Sequence, residues 1–271
     1  MMTSAIREPV RWEIAARGLP LIAVAAHAGH EVSPEVDELM NLDQYDRIYE
    51  GDPGTDRLAR VAPVRAIGRR SRFEVDLNRP RDEAVYLDGQ EPWAADLWKE
   101  EPPKEIVDRA LEIHDSFYER FETEVAEMVN RHGRAVILDC HSYNHRREGP
   151  EAPPADPQQH PEVNVGTGSL NHHLWDDLVE RFQNDLAAAG DLDVRENVRF
   201  RGREVPAFVH RNFPGEACCL ALEFKKTYMD EHSGHIDEDA LSQLTNSLRA
   251  TIPGIVEELD RVSASGATRP T

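Results

Sequence analysis

The feature that most constrains this 271-residue chain is a set of short apolar runs that stop abruptly on polar residues. Leu19 to Ala26 (LPLIAVAA) ends at His27-Ala28-Gly29, and Ala135 to Leu138 (AVIL) breaks into Asp139-Cys140-His141-Ser142. Glu216 to Glu223 (EACCLALE) begins and ends on a carboxylate. Continuous rather than alternating apolar runs are the mark of strands buried on both faces, as in a parallel sheet covered by helices. A further strand is expected around Val64 to Ile67.

Helical periodicity fills the intervals. Between Lys104 and His132 the apolar residues Ile106, Ala110, Ile113, Phe117, Phe121, Val125 and Met128 recur at the spacing of one helix face, with Pro102-Pro103 before them and Gly133 after. Leu170 to Ala189 reads as a second long helix, and Asp237 to Val262 as a closing one interrupted at Pro253. Gly54-Thr55-Asp56 precedes an apolar-spaced segment from Leu58 to Val64, so Thr55 or Asp56 is expected to cap a short helix. Glu148 to Pro161 holds five prolines and reads as an irregular surface loop. No internal repeat is visible. Alternating strands and helices predict an α/β fold: one domain over residues 1–271, an α/β/α sandwich on a mostly parallel mixed sheet. Ligands of such folds bind beyond the carboxyl ends of the strands, where His27, His141 and Glu223 fall.

Composition narrows the partners. The chain carries 51 acidic against 31 basic residues, a formal net charge of -20, which repels both nucleic acid and anionic membrane surfaces. Its four lysines stand against 27 arginines, and an acidic, lysine-poor surface suits a high-salt, halophilic cytoplasm in which screening blunts self-repulsion. Met1 to Arg17 carries charges where a signal peptide needs an apolar stretch, and no apolar run is long enough to span a bilayer, so a cytoplasmic protein is expected. Cys140, Cys218 and Cys219 are expected to be reduced and buried. The composition leaves room for a homo-oligomer.

Neutral imidazole is a common zinc ligand, and catalytic zinc takes three protein ligands, often two histidines and a carboxylate, leaving one position for water. His27 and His141 are the candidate histidines. For the third ligand Asp56 is favoured, because a carboxylate in the first helical turn after a strand is well placed to face a metal; Glu31, Asp52 and Glu50 are the alternatives.

Ser71 to Pro80 (SRFEVDLNRP) is the sharpest motif. With Asp139-Cys140-His141-Ser142, Pro161 to Thr167 (PEVNVGT), Asn197 to Gly202 (NVRFRG), and Leu222-Glu223 leading to Thr227 to Glu231 (TYMDE), it resembles the N-formylglutamate amidohydrolase family over roughly residues 20–231. That family is similar in turn to the zinc carboxypeptidases and aspartoacylases, of phosphorylase/hydrolase-like α/β/α fold. The resemblance implies one Zn2+ per chain and a small carboxylated substrate. It implies that Asn78 and Arg79 bind the substrate carboxylate, that Arg72 polarises the scissile carbonyl, and that Glu223 is the general base. Arg211 is implied to bind a second carboxylate or close the site. Guanidinium suits these tasks, since it meets carboxylates in bidentate fashion and is always charged. The chain departs from the family at Asn212, where a histidine is frequent, and at Phe200-Arg201-Gly202-Arg203, where a lysine-glycine-glycine pattern is usual. His114 matches a family position but is expected to be merely exposed on its helix, and His145, His172, His173, His232 and His235 show no ligand spacing.

The expected chemistry is direct attack of water on the amide of an N-acyl amino acid such as N-formyl-L-glutamate. No Gly-x-Ser-x-Gly elbow is present, and Cys140 is expected to turn into the core rather than act as a nucleophile. The alternatives are a hydrolase of peptide or cell-wall fragments, which needs a wider cleft, and a binding protein on the same fold without turnover.

Overall fold

The computed structural model describes residues 8–87 and 96–266. Seven strands form one sheet: β1 (Val10–Ile14), β2 (Leu21–Ala25), β3 (Val64–Gly68), β4 (Ala135–Tyr143), β5 (Val163–Gly166), β6 (Val194–Glu196) and β7 (Ala217–Lys225). Their order is β1-β3-β2-β4-β7-β5-β6. The central four, β3, β2, β4 and β7, run parallel, and β1 and β5 join them antiparallel at the two sides. The expected mostly parallel mixed sheet in a single α/β domain is what the chain forms. Of the Met1 to Arg17 stretch, residues 1–7 lie outside the described residues, and Val10–Ile14 is an edge strand that the apolar pattern does not announce.

The helices are α1 (Pro34–Leu39), α2 (Gln44–Glu50), α3 (Thr55–Leu58), α4 (Lys104–His132), α5 (His172–Gly190), α6 (Glu204–Asn212), α7 (Glu238–Ala250) and α8 (Ile252–Gly266). On one face of the sheet, Phe117, Phe121 and Val125 of α4 and Val205 and Val209 of α6 pack on Val24, Ile137 and Cys219. On the other, Trp175 and Phe182 of α5, Leu248 of α7 and Ile255 of α8 pack on Leu21, Leu138 and Leu220. Each face thus closes a separate apolar layer, which is the sandwich the alternation of elements demands. Cys140 belongs to the second layer and all three cysteines are buried and unpaired.

Three boundaries differ from the sequence reading. β4 does not stop at Leu138 but continues through His141 to Tyr143, fully buried, because β7 pairs with it residue for residue from Ala135–Ala217 to Tyr143–Lys225. Thr55 and Asp56 lie within the first turn of α3 rather than capping it; the N-cap is Gly54, at φ 87°, and a 3-10 turn (Ala59–Val61) follows α3. The closing helix is two helices broken at Thr251, with Pro253 in the first turn of the second, where its missing N–H costs no hydrogen bond. No described helix is long and apolar enough to cross a membrane.

Candidate active site

The parallel strand ends deliver the polar residues to one edge of the sheet. Along β4 and β7, side chains alternate between faces, so Asp139 and His141 emerge with Glu223 on the α4/α6 side, and His141 and Glu223 are paired neighbours. His27 lies just beyond β2. Its carbonyl accepts the N–H of Asp52 (2.9 Å), which draws the turn after α2 over the strand end. That turn is held twice more. Thr55 Oγ1 donates to the Asp52 carbonyl (2.7 Å), and Lys226, buried at the end of β7, donates from Nζ to the carbonyls of Tyr49 and Gly51 (2.8 Å each).

The result is a buried group of His27, Asp52 and His141 whose ligand atoms all lie within 4.8 Å of one another. Asp52 Oδ2 stands 3.0 Å from His141 Nδ1 and 3.4 Å from His27 Nδ1. The far nitrogens are engaged by carboxylates: His27 Nε2 with Asp76 Oδ1 (2.6 Å) and His141 Nε2 with Asp139 Oδ1 (3.0 Å). A carboxylate that takes the proton of one ring nitrogen leaves the other with its lone pair free, and this is the arrangement that orients metal-binding histidines. His27 Nδ1 is indeed buried without a hydrogen-bond partner among the described residues. Two imidazoles with converging lone pairs, one shared carboxylate oxygen and two outer carboxylates fit a divalent cation of the zinc type, by donor chemistry and by charge.

The protonation preferences of the metal-free cluster report the same shortage of positive charge. Burial favours the neutral form of His141, yet Asp139 and Asp52 overcome it and hold its pKa well above 6.5. Burial likewise pushes Asp52 up, and the hydrogen bond with His141 together with the nearby His27 ring more than offsets it, leaving that carboxyl well below the usual range. A proton shared among these groups does electrostatically what a bound cation would do better.

Asp56, favoured from sequence as third ligand, lies outside this group. It sits on α3 and pairs along the helix with Arg60 (3.7 Å), while Asp52 occupies the position assigned to it. The physical reason is the Asp52-Pro53 step: a residue before proline is held extended, so Asp52 stays in the loop facing the strand ends while the helix carries Asp56 away. Glu31 pairs with Arg69 and Glu50 with Arg147, and neither joins the cluster. Asp52→Ala is expected to weaken metal binding about a thousand-fold, on the scale of one ligand's share of a zinc site; Asp56→Ala is expected to change it less than about twofold, as befits a half-exposed helix pair. Competition with a chromogenic chelator reads both, and the reverse ranking overturns the ligand set.

A cleft of about 640 Å³ opens over the cluster, with Glu223, Arg72, Asn78 and Arg79 in its lining. Glu223 pairs with neither nearby lysine, since Lys225 donates to the His160 carbonyl and Lys226 is committed to the Asp52 turn. Burial pushes its carboxyl up to about 8, against the pull of His141 and with the push of Asp52 and Asp139. Arg72 donates to Asp76 Oδ2 (2.8 Å) and to the Tyr86 hydroxyl (3.1 Å), and Tyr86 itself bonds Asp76; one carboxylate therefore orients His27, Arg72 and Tyr86 together. Arg79 is buried against the Tyr86 ring and pairs with Glu83 (3.3 Å). Asn78 accepts the Val205 N–H on Oδ1 (3.0 Å), which ties it to α6, and its side chain lines the cleft with Nδ2 3.1 Å from His141 Nε2.

Two expectations do not hold. Arg211 is exposed on α6, paired with Glu204 (2.7 Å) and stacked over Phe208, and it does not line the cleft. A nine-residue helix turns its last residues away from the site its first residues approach. His114 is buried, not exposed, and bonds the Arg79 carbonyl (2.9 Å), which fixes the backbone of the Asn78-Arg79 segment. Sequence reasoning also passed over Asp139, although its place two residues before His141 on a strand puts both on one face. It passed over four arginines of the cleft wall, Arg147, Arg199, Arg201 and Arg203.

Parallel strands that bring two histidines, an aspartate and a glutamate to one edge beneath a polar cleft define a site of the hydrolase type. The chain belongs to the N-formylglutamate amidohydrolase family, whose model matches residues 19–229. Among solved structures, an N-formylglutamate amidohydrolase from Ralstonia eutropha JMP134 is similar at a TM-score of 0.75 and 16% identity, covering 94% of this chain and 99% of that one. A gene product from Agrobacterium tumefaciens is similar at 0.64 and 18% identity, with 98% of each chain covered. A metallo-carboxypeptidase from Burkholderia cenocepacia superposes loosely, at 0.36 and 15% identity over 88% of this chain and 56% of that one. No curated protein matches the chain by sequence.

Proposed function

We propose that this member of the family is a zinc-dependent amidohydrolase that cleaves the amide of an N-acyl amino acid such as N-formyl-L-glutamate, giving the free amino acid and formate. The observation that carries the reading is the convergence of His27 Nδ1, His141 Nδ1 and Asp52 Oδ2 beside an uncommitted carboxylate, Glu223. A zinc ion held there supplies Lewis-acid polarisation and lowers the pKa of a water toward neutrality. The remaining work falls to the chain. Glu223 takes a proton from the attacking water on its carboxylate as the oxygen bonds to the amide carbon. It then gives that proton to the leaving nitrogen as the C–N bond breaks, so that amine and acid depart with atoms balanced. Burial, Asp52 and Asp139 push the Glu223 pKa up, and a cation held by His27, Asp52 and His141 would offset the push of the two carboxylates and leave Glu223 ionised and able to accept the proton.

Arg72, fixed by Asp76 and Tyr86, presents a permanent charge at the cleft where the carbonyl oxygen gains negative charge. Arg79, buried beside Tyr86, is assigned the α-carboxylate of the amino acid, and Asn78 holds its approach against α6. Three buried, unpaired thiols support placing the activity in the cytoplasm.

The direct test is metal content by elemental analysis together with formate release from N-formyl-L-glutamate, in high salt, with and without a chelator. About one zinc per chain and release that stops with chelator and returns with zinc are expected. Zinc without release of formate or of any other acyl group from N-acyl amino acids would refute the assigned reaction. Release that survives complete removal of the metal would refute the assigned mechanism.

A further inference from the structure

β1 ends the sheet on one side, and among the described residues only β3 pairs with it. The phase of that pairing is fixed at its two ends. Arg69 donates its N–H to the Pro9 carbonyl (2.8 Å) and Ala15 donates to the Pro63 carbonyl (2.9 Å), so residues 9, 11, 13 and 15 turn their backbone polar groups toward β3. Val10, Trp12 and Ile14 therefore turn theirs outward, as a row of donors and acceptors open to another strand. Pro9 falls in the inward phase, and its missing N–H takes nothing from the outer edge.

The side chains alternate as well. Arg11 and Glu13 share one face, 3.0 Å apart, and Glu13 also pairs with Arg65 (2.7 Å). Val10, Trp12 and Ile14 share the other, where Trp12 stacks on Phe117 of α4 (ring centroids 6.1 Å apart) and Ile14 is left 38% exposed. Charged side chains on an edge strand ordinarily keep other chains away. Here their order makes the edge complementary to itself. When two β1 strands pair antiparallel about a two-fold axis at Trp12, Arg11 faces the partner's Glu13, Val10 faces the partner's Ile14, and the two tryptophans face each other. The same register joins outward backbone groups to outward ones, in three residue pairs that each exchange two hydrogen bonds. An axis at Arg11 or at Glu13 opposes like charges and offers inward-turned backbone, and an axis at Val10 or Ile14 leaves half of the strand unpaired. Arg11 and Glu13 also cancel in charge, so two copies of a chain of net charge -20 would meet at a strand that carries none.

We propose that β1 is a self-association edge through which two copies of this chain pair about a two-fold axis at Trp12, joining their sheets into one. Because β1 runs antiparallel to β3 and its parallel neighbours, this operation puts the two clefts at opposite ends of the joined sheet. Each copy keeps a complete site, and the interface is independent of the reaction assigned to that site.

Sedimentation velocity at about 0.15 M salt, where direct charge contacts persist, tests the pairing. Wild type is expected to sediment as a dimer. Arg11→Glu opposes acidic residues at both charge contacts and Glu13→Arg opposes basic ones, so each variant alone is expected to raise the dissociation constant about tenfold or more. Mixed in equal amounts, the two variants again oppose unlike charges at both contacts, and the dimer is expected to return. Ile14→Pro removes an outward N–H without touching the ladder to β3, and is expected to weaken the dimer while the protein stays folded by circular dichroism. Metal content and turnover per chain are expected to be the same in wild type and in all folded variants. A wild type that stays monomeric up to about 100 µM, or a dimer that Arg11→Glu and Ile14→Pro leave unweakened, overturns the edge. So do folded, monomeric charge variants that fail to associate when mixed. Arg11→Glu and Ile14→Pro decide alone if loss of the Arg65 pair unfolds Glu13→Arg.

Discussion

His141→Ala is expected to lose metal and activity together. Binding of a structural zinc is worth roughly 10–16 kcal/mol at neutral pH, so one of three protein ligands represents about 4 kcal/mol, or about three orders of magnitude in affinity. Activity is expected to fall below detection once loosely held metal is removed. The same substitution has a second effect, because the histidine sits between Asp52 and Asp139 and, when protonated, is the one positive charge both contact in the metal-free chain. Its removal leaves two buried carboxylates without their shared cation, a loss of about 3–5 kcal/mol of stability by analogy with broken buried ion pairs. Elemental analysis and thermal unfolding measure the two effects separately. His141→Gln keeps a polar side chain between the carboxylates and is expected to recover part of the stability without the metal. Full metal content in a folded His141→Ala protein would remove this histidine from the ligand set.

Glu223→Gln should behave in the opposite way toward metal. The residue lies outside the ligand cluster, and no cation depends on it. Metal content is therefore expected to stay near one per chain while kcat falls about 10²- to 10⁴-fold, the usual contribution of a general base. KM is expected to change far less than kcat, because the amide side chain preserves shape and loses only the ability to accept the proton. The sign of the stability change is also set. In the metal-free chain the folded-state pKa of Glu223 is raised to about 8 from 4.5, so the folded protein is progressively disfavoured as pH rises from about 4.5 to about 8. Glutamine removes that dependence, and the metal-free variant is expected to unfold at or above the wild-type temperature at pH 8. A variant that loses metal along with activity would return Glu223 to a structural role.

The central strands, α4 and α5 were legible because their apolar residues are continuous or periodic over enough length to exclude other readings. The weaker elements were not. β5 and β6 have four and three residues, and β1 is an edge strand with one buried position, so each is defined by its partners rather than by its own pattern. The extension of β4 through His141 was hidden for a related reason. Polar residues end a strand in a sequence, whereas in the fold β7 continues to pair with them and the site covers them.

Within the site, His27, His141 and Glu223 were found because each closes an apolar run, and Arg72, Asn78 and Arg79 because they belong to one contiguous motif. Asp52 and Asp56 flank the same glycine, and nothing in their spacing tells which one turns inward; the choice is made by the hydrogen bonds of His27, Thr55 and Lys226 to the segment from Tyr49 to Asp52. Arg211, Arg201 and Arg203 lie close together in the chain and are all exposed, but only the docking of α6 decides that Arg201 and Arg203 line the cleft while Arg211 does not. The sequence by itself determined the layers, the order of the major elements and the strand ends at which chemistry gathers, because hydrophobic periodicity is a local property. Only the tertiary structure decided the third ligand, the outer carboxylates and the arginines of the cleft wall. Those depend on contacts between segments tens of residues apart, and on which charges remain uncompensated when all segments have packed.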